Sequence, residues 1–140
     1  MLQITKEYKF CAAHQYWNSN WSEEENFNVF GEDVKNHGHN YVLRVTVTGK
    51  INYESGFLVD LKWLNDTVKD KIISILDHSQ IDQDIDYFKD NLPSTENLVV
   101  FIWGLLAPHF EEKKCRLHKI FLRETPTIYT EYYGPEKGSL

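Results

Sequence analysis

Between Asn40 and Asn52 the chain alternates strictly, with Tyr41, Leu43, Val45 and Val47 on one side and Val42, Arg44, Thr46 and Thr48 on the other. A period of two predicts a half-buried strand. Gln3–Ala13, with Tyr8 and Phe10, reads as an earlier strand ending at His14. Leu117–Glu124 and Thr127–Tyr133 read as two later ones, joined so tightly at Thr125 and Pro126 that they must pair antiparallel. Between these pairs the period lengthens. Leu61, Leu64, Val68, Ile72, Ile75 and Leu76 recur at helical spacing behind Asp60, a fitting N-cap, and Asp77 and His78 close that helix. Pro93, Ser94, Thr95 and Glu96 signal a second helix that carries Leu98, Val99, Phe101, Ile102, Leu105 and Leu106 and is bounded by Pro108. Trp17–Lys35 and Ser79–Asn91 show no sustained period and are expected as loops, the first with a helical turn begun at Ser22.

The order strand, strand, helix, helix, strand, strand defines an α+β domain with helices covering one face of an antiparallel sheet. At 140 residues and 41% hydrophobic content, one domain spanning residues 1–140 is expected, with a loose tail at 134–140. A net charge of −6 without a basic block argues against a nucleic-acid partner. No apolar run approaches a membrane span or a secretion signal, and Cys11 and Cys115 form neither a disulfide framework nor a thiolate metal pattern, so a cytoplasmic setting is expected.

The chemistry concentrates in histidines. His37 and His39 share the parity of Tyr41, so the alternation turns both inward, and His14 arrives from the preceding strand. Three imidazoles with a fourth position open are the ligand set of catalytic zinc. Spacing alone leaves the alternative standing: histidines in apolar segments also serve as hydrogen-bonded core residues.

Seven motifs stand in one order: Phe10 to His14, Glu24 to Gly31, His37 to Tyr41, Gly56 to Asp60, Leu76 to His78, Pro93 to Asn97 and Arg123 to Thr125. Together they resemble the 6-pyruvoyl-tetrahydropterin synthase family, which includes the bacterial 6-carboxy-tetrahydropterin synthases of queuosine biosynthesis. The resemblance implies the tunnelling fold: a four-stranded antiparallel sheet with two helices per subunit, three subunits closing a barrel, and two trimers forming a hexamer, which removes exposed sheet edges. It implies Zn2+ on His14, His37 and His39, and 7,8-dihydroneopterin triphosphate as substrate. It also implies Glu124 as the anchor of the pterin's N–C–N edge, assisted by Thr95 and Glu96, and Asp77 with His78 as a proton-relay pair. Thr95 and Glu96 also read simply as helix cap and first-turn acid, and Asp77 and His78 as polar residues at a helix end.

One departure matters. The family pattern carries a cysteine shortly before the His-x-His pair, whereas here Gly31–Asn36 has none and Asp33 stands four residues before His37. Asp33, or Glu32, is the candidate base in its place. Thiolate and carboxylate differ by several pKa units in water, so the exchange bears on the product. The expected product is 6-carboxy-5,6,7,8-tetrahydropterin or 6-pyruvoyl-tetrahydropterin. The alternatives are cleavage to 6-hydroxymethyl-7,8-dihydropterin and a non-catalytic pterin-binding protein. Cys11 differs in parity from His14 and is expected to face away.

Overall fold

The computed structural model describes residues 1–136. In chain order the elements are β1 (Gln3–His14), α1 (Glu23–Phe30), β2 (His37–Thr48), α2 (Leu61–Val68), α3 (Ser74–Leu76), β3 (Ser79–Gln80), α4 (Ile81–Asp84), α5 (Tyr87–Asp90), α6 (Thr95–Leu106), β4 (Arg116–Thr125) and β5 (Ile128–Tyr132). A π-helical turn, Lys69–Ile73, joins α2 to α3 without a break. The sheet order is β3-β1-β2-β4-β5. Its four long strands are antiparallel neighbours, as the α+β pattern requires. The two-residue β3 adds a fifth, parallel strand beside Ala12 and Ala13 of β1, so the four-stranded antiparallel sheet is corrected to a mixed five-stranded one.

Alternation decides what each strand buries. Tyr8, Phe10, Ala12 and His14 of β1 and Tyr41, Leu43, Val45 and Val47 of β2 all turn into the core, where Ile120 and Leu122 of β4 meet them. The helices pack on the same side through Leu64, Val68, Ile72, Leu76, Leu98, Val99, Ile102 and Leu106. Each such side chain contributes about 1.5–3 kcal/mol on burial. Thr46 and Thr48, on the other face, are also buried; Thr46 shares a hydroxyl bond with Thr5 (2.8 Å) and Thr48 donates to the Leu2 carbonyl (2.9 Å).

Leu64, Val68, Ile72 and Leu76 are spaced by fours and all fully buried. A straight α-helix would rotate such a stripe by about 40° at each step. The wider π turn at Lys69–Ile73 absorbs that drift and keeps Ile72 and Leu76 on the core. Asp60 caps this helix, accepting from the Lys62 amide at 2.9 Å, and Ser94 caps α6 by accepting from the Asn97 amide at 3.2 Å.

Two segments expected as loops are partly helical. Ser22 accepts from the Glu25 amide and opens the eight-residue α1, after which Gly31–Val34 forms a 3-10 turn. The helix lacks a broad apolar stripe because its inward residue is polar. Asn26, fully buried, accepts from the Asn18 amide at 2.7 Å and donates to the Asn18 and Ser22 carbonyls. Ser79–Asn91 likewise contains β3, α4 and α5, too short for a periodic signal. Leu58 and Val59 form a bend ahead of the Asp60 cap. The expected loose tail at 134–140 lies mostly outside the described residues. No described helix is long and apolar enough to cross a membrane.

Candidate metal centre

β1 and β2 are in register from Gln3↔Thr48 to His14↔His37, with Ala12 opposite His39. Directly opposed residues of an antiparallel pair share a face. The pairing therefore sets His14 beside His37 and leaves room over the small Ala12 for His39. Glu124 enters from β4, where it has the inward parity of Ile120 and Leu122. It is also the unpaired residue of a bulge, because Arg123 pairs with Tyr129 while Thr125 pairs with Ile128. Bulges re-aim side chains in this way beside functional sites.

One nitrogen from each of His14, His37 and His39 and one Glu124 oxygen lie within 4.8 Å of one another. His14 Nε2 is 3.0 Å from His37 Nε2, and His39 Nε2 is 2.8 Å from Glu124 Oε1. That last approach is close but off the line a hydrogen bond needs, and His39 Nε2 is buried without a hydrogen-bond partner. His37 Nδ1 meets the Lys35 carbonyl at 2.8 Å. A carbonyl only accepts, so the proton of a neutral His37 is on Nδ1 and its Nε2 lone pair points at the other rings.

The electrostatics agree. Burial, reinforced by the neighbouring His37 and His39, pushes His14 down to about 4, so the ring is neutral at pH 7. Burial and His37 also lower His39. Burial raises Glu124, with His37 acting against it and Asp33 and Glu96 adding to it. Neutral imidazoles with converging lone pairs and an acidic oxygen repel one another unless a proton or cation lies among them. A tetrahedral ion holding nitrogens at about 2.0–2.1 Å separates them by roughly 3.3 Å, close to the spacing of His14 and His37. The donor set fits a divalent ion of the zinc type.

The other expected residues fall in three places. Asp33, on the 3-10 turn, brings Oδ1 to 3.9 Å from His37 Nε2 with its side chain 62% exposed, at the rim of the centre. The backbone bond from the Tyr16 amide to the Asp33 carbonyl, 2.9 Å, ties this turn to the end of β1. Thr95 is buried, donating to Glu96 Oε1 and sharing a hydroxyl bond with Thr130, both at 2.8 Å. Glu96 is exposed but close enough to raise Glu124.

Asp77 and His78 form an ion pair at 3.1 Å, and the structure does not join it to the trio. Asp77 Oδ1 accepts from the Cys11 amide and the His78 amide donates to the Cys11 carbonyl, fixing both at the outer edge of β1. There His78 and the outward-facing Cys11 line a shallow cleft of about 360 Å³ that also touches His39. A wider cleft of about 860 Å³ between Gln15–Asn20 and Asp82–Asn97 includes none of the four clustered residues.

Two features escaped the sequence reading. Glu124 joins the histidines themselves, a placement its parity with Leu122 could have signalled. The carbonyl behind His37 belongs to Lys35, and backbone groups leave no mark in side-chain patterns.

An α+β domain whose strand ends gather three imidazoles and a carboxylate carries a candidate site for a divalent metal. The model of the family described as 6-pyruvoyl tetrahydropterin synthase matches residues 3–135, and the chain belongs to that family. It is 37% identical to the 6-pyruvoyl tetrahydrobiopterin synthase of Homo sapiens over 134 residues, covering 94% of this chain and 91% of the human one. It is 36% identical over 108 residues to the 6-carboxy-5,6,7,8-tetrahydropterin synthase of Bacillus subtilis (strain 168), covering 74% and 71%. The solved 6-pyruvoyl tetrahydropterin synthase of Caenorhabditis elegans superposes with a TM-score of 0.89 at 28% identity over 96% of both chains.

Proposed function

We propose that this chain is a pterin-modifying enzyme that uses Zn2+ and converts 7,8-dihydroneopterin triphosphate to a 6-substituted pterin, either 6-carboxy-5,6,7,8-tetrahydropterin or 6-pyruvoyl-tetrahydropterin. The convergence of His14, His37, His39 and Glu124 in a member of this family carries the reading. The relatives named above divide between the two products, so similarity does not choose between them.

In this reading His14, His37 and His39 hold the ion. When bound, it supplies Lewis-acid polarisation of the substrate's side-chain oxygens and acidifies the neighbouring C–H bonds. Asp33 stands at the rim, on the solvent side of His37, and takes the proton as general base in place of the absent cysteine. Glu124 binds the pterin's N–C–N edge through two charge-assisted hydrogen bonds, and Thr95 and Glu96 complete that wall. The 2.8 Å approach of Glu124 to His39 favours a second role for it, as a fourth metal ligand before substrate arrives.

Asp77 and His78 relay protons, but for a neighbouring copy. Their imidazole is 83% exposed and lies off the trio of its own chain. A barrel closed by further copies would cover the sheet edges at β3 and β5 and seat this pair against another subunit's centre. A hexamer built as a dimer of trimers meets that need.

The test is mass-spectrometric product analysis after incubating the zinc-loaded protein with 7,8-dihydroneopterin triphosphate, beside Asp33→Asn. A 6-carboxy or 6-pyruvoyl product, reduced about 100-fold or more in the variant with zinc retained, supports the assignment. A 6-hydroxymethyl product would move the protein to the side-chain-cleaving branch. Tight pterin binding without turnover would make it a binding protein.

A further inference from the structure

The inner face of β1 and β2 carries two tyrosines with contrasting partners. Tyr8 sends its hydroxyl to Asn65 Oδ1 at 2.7 Å, a bond between sheet and helix inside the core. Tyr41, 1% exposed, brings its hydroxyl to 3.3 Å from His14 Nδ1. Its ring lies flat on Phe10, with centroids 4.8 Å apart and planes 14° from parallel. A buried hydroxyl is costly without a partner, and phenylalanine would fill the same volume without that cost. The oxygen at this position is therefore explained by the ring it meets.

We propose that Tyr41 is a positioning residue of the metal centre: its hydroxyl, steadied by the Phe10 stack, holds His14 with Nδ1 outward and Nε2 directed at His37 and His39. The inference rests on the metal reading above. His14 needs such a support more than its partners do, because it is completely buried and two neutral imidazoles crowd it, at ring distances of 4.6 Å and 5.0 Å. The Pro93 carbonyl also bonds to the His14 ring, and the Tyr41 hydroxyl on Nδ1 adds to it in opposing the rotation about the last side-chain bond that would relieve the crowding by turning Nε2 away. The Lys35 carbonyl performs the corresponding task for His37. Partners of this kind fix the tautomer and orientation of a ligating imidazole.

The experiment is Zn2+ competition against a chromophoric chelator, using the full chain as wild type, Tyr41→Phe and Tyr8→Phe, with thermal midpoints of the metal-free proteins measured alongside. Tyr41→Phe should weaken Zn2+ binding by about tenfold or more. Tyr8→Phe, which also deletes one buried hydroxyl from the same face, should bind as wild type while losing comparable thermal stability. Equal Zn2+ affinity in Tyr41→Phe and wild type would overturn the proposal and leave the metal reading intact. No Zn2+ binding by the wild type would overturn both. Imidazole 15N NMR of the Zn2+-loaded wild type needs no variant: protonated Nδ1 with metal-bound Nε2 on His14 supports the proposal, and metal on Nδ1 overturns it.

Discussion

Two histidine-carboxylate groupings sit at the same end of the sheet and could hardly differ more in setting. His14, His37, His39 and Glu124 face the core and crowd one another within 4.8 Å. Asp77 and His78 hang on the outer edge of β1 beside Cys11, the imidazole in solvent. Burial and mutual proximity push His14 and His39 toward the neutral form and raise Glu124, so the lone pairs that converge there favour a proton or a cation among them. The second set has a solvent-exposed imidazole paired with Asp77 and set apart from the inner cluster of its own chain. On the proposed reading the same side chains serve as ligands or as a relay according to the face of the sheet they occupy.

If this contrast is right, the largest effect should come from removing a ligand. His37→Ala should lower Zn2+ affinity by more than about 100-fold and turnover with it, since outer partners of ligands alone are worth roughly 10–100-fold. Metal analysis together with steady-state assay checks this, and full zinc content with normal turnover would remove His37 from the ligand set. Glu124→Gln sharpens the inner side further. As the pterin anchor it should weaken pterin binding by about 2 kcal/mol, roughly thirtyfold, with zinc retained. Calorimetry with a pterin and with Zn2+ separates this outcome from the fourth-ligand role, in which zinc affinity falls instead.

On the outer side, His78 has φ of 62°, a left-handed conformation that costs an L-residue about 1–2 kcal/mol. His78→Gly should therefore stabilise the fold by about 0.5–1 kcal/mol while slowing turnover and leaving zinc content unchanged. Denaturant midpoints and activity measured on one preparation would show it. A variant both more stable and fully active would end the relay assignment.

The smallest and most specific effect concerns protons. His14 titrates near 4 in the folded metal-free protein, against 6.5 for an ordinary histidine. Between these values the unfolded chain binds a proton that the folded one refuses, so the His14 contribution to stability is complete above pH 6.5 and declines as pH falls toward 4. Proton NMR of the His14 ring in metal-free protein should show it neutral through that window. A midpoint near 6.5 would contradict its crowded burial.

Much of this architecture was legible from residue order. The alternation around Tyr41 and Leu43 fixed both the strand and the inward direction of His37 and His39, because successive side chains of a strand must take opposite faces. Capping at Asp60 was equally local, whereas the cap of α6 is Ser94 and not Thr95, which is the first helical residue. Of helix α1 only the opening turn at Ser22 was legible, since the residue the helix buries, Asn26, is polar and is held by bonds to Asn18 and Ser22 that no hydrophobic period records. β3, α4 and α5 were not legible, since their few residues complete no period.

The sequence by itself determined which residues would face inward and, through seven motifs in order, the family to which they belong. Tertiary structure decided how they meet. The register that puts His14 opposite His37 and the edge position that keeps His78 apart depend on pairings between segments 23 or more residues apart in the chain, and the bulge at Glu124 depends on how β5 pairs back onto β4. Local preference sets the direction of a side chain, but its neighbours follow from strand pairing, and at this centre the neighbours push the buried imidazole of His14 toward its neutral form.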